Sequence, residues 1–306
     1  MRRTNLGALV FGTILAAATF MSGTDAKSDG TSNGGGTAAV YGNIPADQVE
    51  FLSTPEHIMT VATSGAGASA IWEALEHGES VECLDCIPIV EHLLYDPNAE
   101  TREIAAWWMR KRMFGVFGPG EAYERTLKVL SADADPTRRA YAAYAVGEFL
   151  TLAGIKPLAN AINNDSSPKV RAAAAHALGR LNDDGAGALS KAMTDSDTSV
   201  RLAAIGSAGR VNSFTDVATA TKLVGDSSPL VRRRGAELLE ELHAKDSVMG
   251  LIALVQNDND AQVRASAAHA LGVLHDASSK STLQHAADTD ADQFVRDQAA
   301  IALRRL

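Results

Sequence analysis

The chemically most suggestive residues in this 306-residue chain are its two cysteines, in the motif Cys83-Leu84-Asp85-Cys86. Three chemistries fit that spacing. A thiol at a helix start has its pKa lowered by the helix dipole, which would suit a redox dithiol. The two sulfurs could be half of a metal site, completed by His57, His77 or His92. They could also close as a small structural disulfide, the expected state in an oxidising compartment. Residue 87 is Ile, which excludes haem attachment through CxxCH, and no thioredoxin-like βαβ pattern surrounds the pair. A loop this short would stabilise the fold only modestly. The eight histidines contain no HExxH, and the Glu-His pairs at 56–57, 76–77 and 91–92 are expected to be unrelated surface residues. No GxSxG elbow, P-loop or dinucleotide fingerprint occurs. The sequence therefore assigns no catalytic residue, no metal and no cofactor, and the chain is expected not to be an enzyme.

The aromatic side chains carry a second signal. Nine of the sixteen fall between residues 95 and 149: Tyr95, Trp107, Trp108, Phe114, Phe117, Tyr123, Tyr141, Tyr144 and Phe149. The same stretch holds the basic run 110–112. Trp, Tyr and Arg are the residues that most often dominate binding energy at interfaces. Bulky core filling would also explain the cluster, and Trp108 is expected in the core.

These candidates must be positioned by helices. The chain has 54 alanines, few β-branched runs, and 37 acidic against 28 basic side chains, a net charge of −9. That balance argues against a nucleic-acid partner, which selects a basic face. Arg2, Arg3 and the apolar stretch 6–20, followed by Thr24-Asp25-Ala26, have the layout of a secretory signal peptide. Residues 1–26 are thus expected to be removed, 27–48 to form a Gly/Ser-rich linker, and 49–306 to fold. Cleavage is favoured over retention as an anchor, because the stretch is short for a membrane span. The product would be periplasmic or secreted, with no stable membrane span.

Within 49–306 the sequence echoes itself. Arg171 has equivalents at Arg102, Arg139, Arg201, Arg232, Arg264 and Arg296, spaced by 37, 32, 30, 31, 32 and 32 residues. Six residues before each stands an aspartate: Asp96, Asp133, Asp165, Asp195, Asp226, Asp258 and Asp290. Four before stands Asn98, Asp135, Ser167, Asp197, Ser228, Asp260 or Asp292, all good N-caps, followed three times by proline. Small residues recur three positions after the arginine and mostly apolar ones seven after, on one helical face. Gly147, Gly179, Gly209 and Gly272, eight after, fit either a helix stop or a close helix approach. The 37-residue interval includes an insertion around 114–120, and repeat arrays carry insertions on one face, often the binding face.

The motif D-x-x-P-x-V-R-x-x-A-A-x-A-L-G-x-L, matched best at 165–181, 226–242 and 258–274, resembles the HEAT-like repeat family, particularly the short repeats associated with phycobilin lyases. The resemblance implies an all-α fold, an α-solenoid of about seven stacked hairpins over 95–306 with a degenerate cap at 49–94. It also implies that the recurring Asp and Arg form a ladder between neighbouring repeats. HEAT-like deoxyhypusine hydroxylase places His-Glu just after the repeat arginine; here those positions are Ala172-Ala173, Leu202-Ala203, Arg233-Arg234 and Ala265-Ser266, so that comparison fails. His176 and His269 are read as partly exposed helix residues. The leading expectation is a monomeric adaptor binding a protein or peptide on the ridge of its second helices. That ridge would carry Trp107, Lys111, Tyr144, Glu148, His176, Arg180, Arg210, Glu237 and Arg305, with Phe114 and Phe117 on the adjoining loop. The alternative is an enzyme, either a CxxC thiol oxidoreductase or a lyase or isomerase similar to the bilin-lyase relatives, which an exported chain fits poorly.

Overall fold

A computed structural model describes residues 50–115, 118–181 and 185–306. The expected signal peptide and the expected linker lie outside the described residues. The folded part is a stack of helical hairpins, each a first helix followed by a second. The pairs are α1 (Pro55–Thr63) with α2 (Ala68–His77), α3 (Cys86–Leu93) with α4 (Ala99–Met113), and α5 (Glu121–Ala132) with α6 (Pro136–Glu148). They continue as α7 (Ile155–Asn164) with α8 (Pro168–Leu181), α9 (Ala186–Ala192) with α10 (Thr198–Ala208), and α11 (Val217–Lys222) with α12 (Pro229–Glu241). The last are α13 (Val248–Asn257) with α14 (Ala261–Leu274) and α15 (Lys280–Thr289) with α16 (Gln293–Leu303). From α4 onward each second helix packs on the next one along, as a solenoid requires.

The repeated residues build each turn. In all seven repeats the aspartate side chain accepts the backbone N–H two residues on, for example Ser167 to Asp165 at 2.9 Å and Asp260 to Asp258 at 2.9 Å, folding the chain into an Asx turn. The next capping residue then starts the helix: Asp135, Asp197, Asp260 and Asp292 each accept the N–H two residues on at 2.8 Å. The arginine of each repeat donates back to the carbonyl of its own aspartate, bracing the turn. Five of the arginines also reach forward to the next repeat's aspartate. The rungs are Arg139–Asp165, Arg171–Asp195, Arg201–Asp226, Arg232–Asp258 and Arg264–Asp290, at 2.6–2.8 Å.

The ladder is shorter than seven pairs. Arg102 makes no rung: its guanidinium lies 4.1 Å from the centroid of the Tyr141 ring, while Asp133 is taken by Arg138 at 2.9 Å. Arg296, in the last described helix, donates to Gln293 on its own helix. The insertion itself is not a plain loop. Phe114–Gly115 and Gly118–Pro119 pair as a two-residue antiparallel ladder, closed by Gly120 N–H donating to Met113 at 2.7 Å.

Small side chains set the helix spacing. Ala105, Ala142, Ala174, Ala204, Ala267 and Ala299 are fully buried on the stacking face. Three of the recurrent glycines serve close approach, and the fourth, Gly209, stands at the C-cap where α10 ends. A Cβ on Gly147 would lie 2.8 Å from Ala177 Cβ, on Gly179 2.7 Å from Ser207 Cβ, and on Gly272 2.6 Å from Ala302 Cα. The core changes character along the stack. The first hairpins are filled with Trp108, Met109, Tyr123 and Phe149, all essentially buried, whereas the later ones are packed with alanine and leucine.

Candidate functional site

The second helices bring several of the ridge residues into contact. Tyr144 on α6 is 37% exposed and meets His176 on α8 edge to face, with ring centroids 5.6 Å apart. One turn further along the same two helices, Glu148 pairs with Arg180. Burial pushes the Glu148 carboxyl above its ordinary range, against the opposing pull of Arg180. Burial pushes the His176 imidazole pKa down, and the charges of Arg210 and Arg180 push the same way, both disfavouring its charged form. Tyr144, His176, Glu148, Arg180 and Arg210 thus form one connected strip across α6, α8 and the end of α10.

On α4 a separate knot forms. Lys111 lies 5.6 Å from the Trp107 ring centroid and pairs with Glu79. Trp107 is half-buried rather than fully presented. Arg112, from the same basic run, is used internally. It donates to the carbonyls of Gly78, Glu79 and Val81 at 2.8–3.0 Å and stacks 3.5 Å from the centroid of Trp108. Trp108 Nε1 donates to the Gly78 carbonyl at 3.0 Å, so α4 is clamped to the turn after α2. Phe117 lies outside the described residues, and for Phe114 only the backbone pairing is described.

At the far end of the ridge, Arg305 is joined to Glu240 through His269, and Glu237 has a separate contact with Ser266. His269 Nδ1 lies 2.8 Å from Glu240, Arg305 lies 3.3 Å from His269 Nε2, and Ser266 Oγ lies 3.4 Å from Glu237. An imidazole accepting from Arg305 at Nε2 carries its proton on Nδ1 and donates to the carboxylate. These groups orient one another. None is a nucleophile set against a base.

Cys83 and Cys86 are bonded to each other, and both are buried. A disulfide offers no thiolate to a metal. Among the described residues no group of three or more His, Cys, Asp or Glu could hold one. Of the Glu-His pairs, Glu56, Glu76 and His92 are exposed as expected, whereas His57, His77 and Glu91 are partly buried. His57 on α1 has its pKa lowered first by burial and then by the charge of His77 on α2, so the two helices bring these histidines together. Glu91 is gripped by both Arg125 Nε and Nη2, at 2.7–3.1 Å.

One surface was not read from the sequence. A groove of about 930 Å³ runs between the first helices α3 and α5, lined by Leu84, Ile87, Tyr95, Met113, Lys128 and Val129 among others. The repeat motif marks second helices, so residues on first helices escaped it. The apolar Leu84-x-x-Ile87-Pro88 run flanking the cysteines was the available signal.

The family model for HEAT repeats matches residues 123–207, 155–225 and 217–304. No curated protein matches the sequence. Among solved structures, the chain is similar to the Escherichia coli protein YibA, with TM-score 0.52 and 17% identity over 79% of this chain and 98% of that one. It is similar to importin beta with TM-score 0.54 and 14% identity, covering 81% of this chain and 43% of importin beta. A phycocyanin lyase complex from a Nostoc species aligns with TM-score 0.39 and 19% identity, over 74% of this chain and 88% of that one, a likeness that carries no argument. At these identities the solved structures show the fold alone, and among the described residues no helix is long and apolar enough to cross a membrane. With overlapping matches that run from 123 to 304 and a braced aspartate–arginine turn in every repeat, the chain belongs to the HEAT-repeat family.

Proposed function

We propose that the chain is an exported interaction scaffold that binds a protein or peptide along its second helices, with Tyr144, His176 and Arg180 at the centre and Trp107 and Lys111 beside them. The carrying observation is the Tyr144–His176 contact beside Glu148–Arg180: an exposed aromatic held on rigid, adjacent helices next to charged groups. An aromatic anchor with its neighbours already oriented loses little entropy on binding, which is what interface hot spots require. Export rests on the N-terminal basic, apolar and small-residue pattern. The chemistry on the ridge is that of binding, and the chain acts by holding a partner rather than by transforming it.

Affinity capture from the native envelope fraction, followed by mass spectrometry, tests this reading with the pair Tyr144→Ala and Trp107→Ala. The expected result is loss of the captured partner with unchanged helicity and thermal unfolding. Retention of every partner by a folded double variant would refute the ridge as the binding surface.

A further inference from the structure

The groove between α3 and α5 is a second surface, independent of the ridge. Its apolar side is built around Leu84, which is 82% exposed although it sits between two buried cysteines. The Cys83–Cys86 bond and the Cys86 N–H donating to Cys83 Sγ at 3.0 Å hold that turn, so Leu84 is fixed in water rather than folded away. Ile87, Pro88 and Val129 extend the apolar wall. A rigid apolar side chain left in solvent beside a groove has the form of a preorganised anchor.

The charges in the groove do not balance. Arg125 is matched by Glu91 and Glu121, and Arg138 by Asp133. That engages the three carboxylates lining the groove. Lys128 makes no ion pair among the described residues, and Arg112 donates to backbone carbonyls rather than to a carboxylate. Lys128 is therefore the unmatched cation of an apolar groove in a chain whose net charge is −9. A carboxylate arriving there meets an exposed ammonium that no carboxylate of the described residues engages.

We infer that this groove docks an acidic, apolar peptide segment of a partner protein. Its apolar side chains seat on Leu84, Ile87 and Val129, and its carboxylate is received by Lys128. The disulfide serves as the device that presents Leu84.

The test is selection of a random displayed peptide library on the folded chain, followed by fluorescence anisotropy of the enriched peptides. Leu84 and Lys128 are both exposed, so Leu84→Ser and Lys128→Glu leave the fold intact, which circular dichroism verifies. Enriched peptides should combine apolar residues with Asp or Glu. Each substitution should weaken their binding about tenfold or more, while Tyr144→Ala on the ridge leaves it unchanged. No enrichment, enrichment of basic or purely apolar peptides, or binding indifferent to both substitutions overturns the proposal. So does sedimentation showing a dimer that Leu84→Ser dissociates, which would make the groove a contact between copies. Binding to phosphatidylglycerol vesicles that Lys128→Glu abolishes, without peptide binding, overturns it as well.

Discussion

At the scale of single residues, the ladder arginine does three things at once. Arg171 ties Asp195 of the next repeat through Nε and Nη2, and its Nη1 braces the Asp165 and Ser166 carbonyls. Both side chains of the rung are mostly shielded, at 15% and 12% exposure. Arg171→Ala strands a carboxylate and two carbonyls, and is expected to cost about 2–3 kcal/mol, read from urea unfolding of the two proteins. The rung also sets a pH dependence. The hydrogen bond from Arg171 holds the Asp195 carboxyl below its usual range, as that from Arg264 does for Asp290. A carboxyl with a depressed folded pKa adds stability above its unfolded value, about 3.9, and that stability is lost as pH falls through the folded value. Wild-type stability should therefore drop below about pH 4, and Arg171→Ala should drop less over the same interval. An equal acid dependence of the two would show that the rung is not the proton-linked element.

At the scale of elements, glycine position separates two roles that composition cannot distinguish. Gly179 and Gly206 both lie inside second helices. A Cβ on Gly179 would lie 2.9 Å from the Cα of Ser207, whereas a Cβ on Gly206 would meet nothing within 4 Å. Gly179→Ala must push α8 and α10 apart and should cost about 1–3 kcal/mol. Gly206→Ala gains helix propensity with no clash and should stabilise by about 0.5–1 kcal/mol. Opposite shifts in thermal midpoint are the expected outcome; a destabilised Gly206→Ala would contradict the packing described. This contrast also marks how far the sequence could be read. Repeat period, N-caps, the alanine seam and the buried Trp108 were legible because each repeats or follows a helical offset. Which residues of a run face inward was less so. Arg110, Lys111 and Arg112 are adjacent and chemically alike, yet Arg112 clamps the turn after α2 while Lys111 reaches Glu79 at the surface. Only the rotation of α4 on its neighbours decides between them. The α3–α5 groove was illegible for another reason: its walls come from first helices with 27 residues between them and no shared motif.

For the folded stack as a whole, the consequence lies in the one step where the repeat rule breaks. Rungs join every consecutive pair of second helices from α6 to α16, but between α4 and α6 Arg102 lies on Tyr141 and Asp133 belongs to Arg138. The inserted β ladder falls at the same step, and the core passes from large aromatics to alanine and leucine within the next hairpin, beyond Tyr123 and Phe149. In an array where each hairpin touches only its neighbours, stability is a sum of hairpin terms and interface terms. The weakest interface is then where cooperativity fails first. The first two hairpins, α1 to α4, should open as a unit while the later hairpins stay folded. Native-state hydrogen exchange across a denaturant series measures this directly. Amides of α2 and α4 should exchange through an opening of lower free energy than those of α10 and α14. A single opening free energy shared by α4 and α14 would mean that the clamp of Trp108 and Arg112 on the turn after α2, continued through Tyr123 and Phe149, transmits as much coupling as the missing rung would have. The break in the ladder would then be a local adjustment to the insertion with no effect on the folding unit.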